Sequence, residues 1–399
     1  MSSTPDAAPT PSRRITYVPA LDGLRGVSLP GTIYTHFQIL LSALPTAPFW
    51  LNHSGPLELN IEMFFVLSGA LITSLLVSEY QRKSDIALDS FYLRRSRRLG
   101  PALIAVVPAL LITQYAISPG GNQPLGHSPW LAVLLLFTFV GNWHHTSLGW
   151  LTPAWTLGIE EQFYLTWPTV LRISLRRGWV RRHVMVGFWV VIVVSLLVGA
   201  ALGHHYGGLP AIYMTPTQVP PILMGCALGY ALTTNPDGRL VRLLQYRATA
   251  LVGLAGMVVL SALLWDHFTV LVTGGYALYG ALACLLIGHC LAVADRPSIV
   301  SRFFGWRPFV VIGQVSYEAY LVHVIVIVAV LRAAPTMNVS AMVILDVVLI
   351  AVISGAFYYL IERPIRRRGW RGAFRSQPDR AVKPEPLAVP RIDPVAEDR

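Results

Sequence analysis

Arg25 and His36 stand eleven residues apart in the segment Tyr17 to Phe37, YVPALDGLRGVSLPGTIYTHF. On a helix that separation is about 16 Å at 1.5 Å per residue, roughly half of a hydrocarbon core about 30 Å thick. One helix would therefore hold a guanidinium at a membrane face and an imidazole inside. An ionisable side chain within a span is costly and by default marks a candidate functional site. The alternative is a histidine hydrogen-bonded to a neighbouring helix, and this stretch alone leaves both open. Glu62 and Glu160 fall at a depth similar to that of His36. A carboxylate can orient an imidazole and stabilise its protonated form, making it a better base toward a hydroxyl. The competing account is a structural polar network between helices. Glu58, Glu161, Glu318 and Glu362 are further carboxylates in or near apolar stretches. Glu318 and His323 are five apart on one helix and need not share a face.

Arg94, Arg95, Arg97 and Arg98 precede another apolar stretch and, with Arg25, make a cationic zone on one side. Guanidinium forks match phosphate oxygens, so such a cluster suits a phosphorylated ligand. A basic loop facing anionic lipid has the same composition. The phosphate-cradling P-loop, the G-x-S-x-G elbow and the H-E-x-x-H zinc helix are all absent, as is a histidine followed at the fifth position by aspartate. His144–His145 and His204–His205 lie near predicted ends or loops. The cysteines Cys226, Cys284 and Cys290 lack metal-ligand spacing, and neither a metal nor a disulfide framework is expected.

The elements that position these residues are membrane helices. The 399-residue chain is 54% hydrophobic and 13% charged, against about 25% charged in soluble domains. Long apolar stretches recur along almost its whole length, which leaves no room for separate soluble domains. The net charge of +11 comes with arginines in short loops between apolar segments, the positive-inside pattern and not a nucleic-acid signal. Spans are expected near 20–40, 57–79, 99–117, 155–171, 184–203, 217–233, 248–266, 272–293, 308–331 and 340–361. Trp130 to Val140 is short for a crossing and is expected to be re-entrant or superficial. The fold is thus all-α and polytopic, with about ten spans and both termini cytoplasmic. Residues 1–16 should be a disordered arm, 17–366 the membrane domain and 367–399 a disordered tail. The basic stretch Gln81 to Arg98 is expected as a cytoplasmic loop, and Ser118 to Pro129 as an external one.

These segments together resemble the acyltransferase 3 family of integral membrane acyltransferases. The resemblance rests on ordered blocks: LDGLRG with ten residues between Arg25 and His36, NIEMFFVLSGALIT (60–73), FYLRRSRRLGPA (91–102), AWTLGIEEQFYLTWP (154–168), IGQVSYEAYLVH (312–323) and YYLIERPIR (358–366). It implies transfer of an acyl group, most often acetyl from acetyl-CoA, to a hydroxyl of a sugar or glycoconjugate at the plasma membrane. Some members acylate small secondary metabolites such as macrolides. By this resemblance His36 is the essential histidine, Arg25 and Arg94 to Arg98 hold the CoA phosphates, and Glu160 is the key acid, with Glu62 in the place of an aspartate. Ser68, Tyr164 and Trp155 are candidate oxyanion donors. Thr217-Gln218-Val219 stand where many members carry an arginine. The chain is expected to be of the stand-alone type, without an appended esterase-like domain. A proton-coupled transporter using His36 and Glu160 as a relay is the rival from another class.

Overall fold

The structure, a computed structural model, describes residues 15–53, 60–112, 129–264, 267–372 and 389–390. Glu58 and the expected external loop lie almost wholly outside these residues, as does most of the arm and tail. Among the described residues the regular elements are helices, apart from a two-residue antiparallel pairing of Ile15–Thr16 with Val389–Pro390.

Helix α1 (Pro19–Leu41) starts on a proline, whose missing N–H is no loss in a first turn. A short α2 (Phe49–His53) follows, then α3 (Asn60–Lys83) and α4 (Leu88–Ile112). α5 (Pro129–Thr138) has 10 residues, too few to cross. It leads through a 3-10 run, Gly141–Ala154, into α6 (Trp155–Arg176). His144 and His145 lie in that run. Next come α7 (Arg181–Tyr206), with His204 and His205 in its last turn, α8 (Gly208–Ala211), α9 (Thr215–Thr234), α10 (Arg239–Leu244) and α11 (Arg247–Leu264). The short α12 (Phe268–Val270) enters a π turn and α13 (Tyr276–Ala292). The last elements are α14 (Ile299–Phe304), α15 (Arg307–Gln314), α16 (Ser316–Ala333), α17 (Val339–Phe357), a π turn and α18 (Arg363–Gly372).

Among the described residues, six helical stretches are long and apolar enough to cross a membrane: Ile61–Lys83, Arg181–Tyr206, Arg247–Leu264, Phe268–Ala292, Ser316–Ala333 and Val339–Trp370. The expected spans on α1, α4, α6 and α9 are not among them, although these helices have 23, 25, 22 and 20 residues. Their apolar runs are interrupted by Asp22 and Arg25, by Arg94 to Arg98, by Glu160 and Glu161, and by Thr217 and Gln218.

The structure corrects three boundaries. Arg94 to Arg98 are not in a loop: α4 begins at Leu88, so they occupy its first turns and point in several directions. The expected span 308–331 is broken at Val315 into α15 and α16. α15 packs on α1 because Gly26 and Gly313 bring the two backbones together: a Cβ on Gly313 would collide with the Asp22 carbonyl. Finally, helix α18 runs to Gly372, past the expected start of the tail at 367.

Helices α3 and α9 form the centre. Gly69 lies against the backbone of Ile222, and Gly225 against that of Val66. Small residues permit this approach, which is how helices associate where surrounding lipid is as apolar as leucine. Phe65, Leu76, Ile159 and Leu171 knit α3 to α6 on one side, while Leu67, Leu286 and Ile287 join α3 to α13 on the other. At the α3–α4 turn, Asp85 accepts from Arg172 and Arg176 of α6, each ion pair at 2.7 Å. The hydrogen bonds from these two guanidiniums hold its carboxyl well below the usual carboxylate range.

Candidate functional site

Between α1, α3, α4, α6 and α16 lies a cavity, partly open to solvent, whose empty space with that open solvent included is about 870 Å³. Its polar lining follows from helical spacing. Thr156, Glu160 and Tyr164 recur every four residues and so share one face of α6. Ser68 projects from α3 among Ile61, Phe65, Leu71 and Leu75, a stripe with the same periodicity. Arg25 enters from α1, Arg95 and Arg98 from α4, and Ser316, Tyr317 and Tyr320 from the first turns of α16.

Inside the cavity, Ser68 donates to Glu160 Oε1 at 2.8 Å and accepts from the Tyr164 hydroxyl at 2.9 Å. The Arg95 guanidinium lies flat over the Tyr164 ring, 3.5 Å from its centroid. It also pairs with Glu161 at 3.4 Å. Stacking consumes the face of the guanidinium and leaves its edge for hydrogen bonding. Arg25 pairs with Asp22 at 3.0 Å, and Asp22 in turn accepts from Tyr17 at 2.7 Å. Arg98 lies within electrostatic range of Arg25, Arg95 and Arg366, with Glu362 as the acidic counterweight. The cavity thus gathers three guanidiniums, of which Arg25 and Arg95 each already have a carboxylate partner, and fork-shaped donors of this kind suit an anionic group.

The five arginines do not act as one group. Arg25, Arg95 and Arg98 line the cavity, whereas Arg94 is half exposed, 4.0 Å from Glu79, and Arg97 lies beside Gly369 of α18. Glu62 is buried one residue from the cavity wall. Both Glu62 and Glu160 lie within electrostatic range of Tyr320.

His36 sits outside the cavity lining, and its partner differs from expectation. Glu160 is engaged by Ser68, and no carboxylate orients the imidazole through a hydrogen bond among the described residues. His36 Nδ1 is 3.0 Å from the Thr32 carbonyl, one turn back on α1, and 3.3 Å from Nε2 of His323 on α16. The two rings meet edge to face with centroids 4.7 Å apart. His323 is fully buried, and its Nδ1 lies 2.7 Å from the Tyr320 carbonyl. The Tyr320 side chain returns to the cavity, where its hydroxyl donates to Pro153 O at 2.7 Å and accepts from Thr156 at 2.9 Å. The cavity and His36 are thus linked through α16.

His323 and Tyr320 were the residues hardest to pick from sequence. The signal was present: a second histidine in an apolar helix, one turn beyond a tyrosine. Only the crossing of α1 and α16 joins it to His36. Among the described residues, no group of three or more His, Cys, Asp or Glu side chains is placed to hold a metal.

Among the described residues, six helical stretches long and apolar enough to cross a membrane, two of which also line the cavity, define a multi-pass membrane protein. Residues 18–363 match the family model described as an acyltransferase domain, acyltransferase 3, and the chain belongs to that family. It is 31% identical over 402 residues to "O-acetyltransferase OatA" of Staphylococcus aureus strain MRSA252, covering 94% of this chain and 62% of that protein. It is 27% identical over 389 residues to "Peptidoglycan O-acetyltransferase OatA" of Listeria monocytogenes, covering 91% and 58%. It is 28% identical over 380 residues to "Putative peptidoglycan O-acetyltransferase YrhL" of Bacillus subtilis, covering 90% and 56%. The chain thus spans about six tenths of the length of these curated relatives. No solved structure matches it.

Proposed function

We propose that this protein is a bacterial plasma-membrane O-acetyltransferase that moves an acetyl group from acetyl-CoA to a glycan hydroxyl, with peptidoglycan the first acceptor to test. The observation that carries the reading is a family match over residues 18–363 that coincides with a cavity presenting Arg25, Arg95 and Arg98. In this reading about ten helices cross the bilayer, both termini are cytoplasmic, and the arginines face the cytoplasmic side. The donor's phosphates rest on Arg25, Arg95 and Arg98, with Arg94 and Arg97 adding to the field at the entrance. Glu160 holds Ser68 toward the thioester, and turning the Tyr164 O–H from Ser68 to the carbonyl oxygen supplies a donor for the developing oxyanion. Glu62 maintains the polarity of the same region.

His36 is the general base. A carbonyl can only accept, so the 3.0 Å contact with Thr32 O places the proton on His36 Nδ1 and leaves Nε2 as the basic atom. Nε2 takes the acceptor hydroxyl proton as the oxygen bonds to the acetyl carbon. The carbon–sulfur bond then breaks, and the proton passes to the departing thiolate. The products are an O-acetyl ester and free CoA.

The test is CoA release by the full chain in nanodiscs, with acetyl-CoA and crude peptidoglycan, wild type beside His36→Ala. General-base loss should lower turnover by about 10²–10⁴-fold. Equal release by both proteins would remove His36 from the mechanism.

A further inference from the structure

We propose that His323 is a positioning residue for His36: it fixes the tautomer of the base and shares its Nδ1 proton. The inference rests on the reading of His36 as base and names the residue that makes it competent.

The argument starts from the two carbonyls. Tyr320 O lies 2.7 Å from His323 Nδ1, so that nitrogen carries a proton and His323 Nε2 keeps its lone pair. That lone pair faces His36 Nδ1 at 3.3 Å. His36 Nδ1 also faces Thr32 O, so its single N–H is shared between two acceptors. Moving the His36 proton to Nε2 would set its Nδ1 lone pair against two acceptors at once. Turning His323 over instead would set an N–H against an N–H. The pair therefore has one consistent protonation pattern, with His36 Nε2 unprotonated.

Burial makes this pattern costly to leave. His323 has no solvent-exposed surface, so an unmet donor or acceptor there has no water to turn to. When His36 becomes an imidazolium its Nδ1–H becomes a charge-assisted donor, and a second acceptor in a dry site strengthens with it. A carboxylate fills this orienting place in the serine-protease triad. Of the two carboxylates of α6 nearest the cavity, Glu160 accepts from Ser68 and Glu161 pairs with Arg95. A neutral imidazole orients the base without adding a negative charge beside it. The same helix ties this device to the cavity, since the Tyr320 hydroxyl is held by Pro153 O and Thr156. A donor pressing on Tyr320 thereby acts on the segment that carries His323.

The experiment compares His323→Leu, which fills space without accepting, with His323→Gln, whose amide oxygen can accept from Nδ1. Both are made in the full chain in nanodiscs. Folding is checked by size exclusion and thermal midpoint, and CoA release is read with acetyl-CoA and crude peptidoglycan. His323→Leu should lower kcat by about 10²–10³-fold with KM for acetyl-CoA within about twofold. His323→Gln should recover to within about tenfold of wild type. The double variant His36→Ala/His323→Leu should be no slower than His36→Ala alone, since residues acting as a unit are not additive. Equal turnover by the Leu and Gln variants, or additive losses, overturns the proposal. Nitrogen-15 histidine NMR gives a readout independent of turnover: His36, identified by its absence in His36→Gln, should carry its proton on Nδ1, and His323→Leu should mix the two tautomers. An unchanged tautomer population overturns the proposal even if activity falls. Should His323→Leu not fold, the Gln variant and the wild-type tautomer decide. If the wild type itself releases no CoA, the acetyltransferase reading fails, and the NMR result alone judges the pairing.

Discussion

Helices α3 and α7 are both strongly apolar, with mean hydropathies of 1.9 and 2.6 over their best windows, yet 78% of the α3 window is buried against 28% of the α7 window. α7 turns Val190, Val191, Val193, Val194 and Leu197 outward. α3 turns Gly69 into α9 and Ser68 into the cavity. In water these sequences would compete for the same core. In a bilayer, apolar area does not choose between lipid and protein, and the choice falls to small residues that let backbones touch and polar groups that need partners. The less apolar of the two helices is the central one.

The largest effect that would test this contrast is steric. Gly225→Leu places a side chain against the Val66 carbonyl and should destabilise the bundle by about 3 kcal/mol, seen as loss of monodisperse protein in detergent. Val194→Leu, on the lipid face, should stay within about 0.5 kcal/mol. Equal outcomes would erase the distinction. The next effect is on the donor. Arg95→Ala should raise KM for acetyl-CoA by about 10–100-fold, roughly 1.4–2.7 kcal/mol. Arg95→Lys should recover little, because an ammonium cannot lie flat over Tyr164 while bonding at its edge. Full recovery by lysine would show that charge alone matters there. A smaller change is expected of Ser68→Ala, which strands the Glu160 and Tyr164 partners of one hydroxyl and should cost about 1–2 kcal/mol in the thermal unfolding of the purified protein. The smallest belongs to the surface. The depressed carboxyl of Asp85 contributes stability above the usual carboxylate range, and that contribution is lost as pH falls through the folded-state value. Asp85→Asn should therefore lower the thermal midpoint slightly at pH 7, with the gap to wild type closing below about pH 4. A gap that persists in acid would point to a packing role.

The same contrast explains what the sequence made legible. Apolar length marked the lipid-facing helices α7, α11 and α17, whose interiors carry a single charged residue, Asp346 of α17. The placement of Arg25 and His36 on one helix followed from spacing, as did the shared face of Thr156, Glu160 and Tyr164. The break at Val315 was hidden because Gly313, the breaker beside it, is also common inside membrane helices. Depth along a helix could be counted, so His36, Glu62 and Glu160 seemed to form a group. Rotation about the helix axis and crossing angle could not be counted, and these give Glu160 to Ser68 and His36 to His323. Likewise, four neighbouring arginines read as one cluster until helical geometry sends Arg95 and Arg98 inward and Arg94 outward.

Helix α1 is also a ruler, and the ruler has a joint. Its two working marks, Arg25 and His36, bracket Pro30, which supplies no N–H to the carbonyl of Gly26. Within the same interval the hydroxyls of Ser28, Thr32 and Thr35 bond back to the carbonyls four residues earlier, a habit that bends helices. Compliance is thus concentrated between Arg25 and His36. The distance from Arg25 to His36 sets the reach required of whatever joins them, and flexing at Pro30 is the movement that would lengthen or shorten that reach without disturbing either grip.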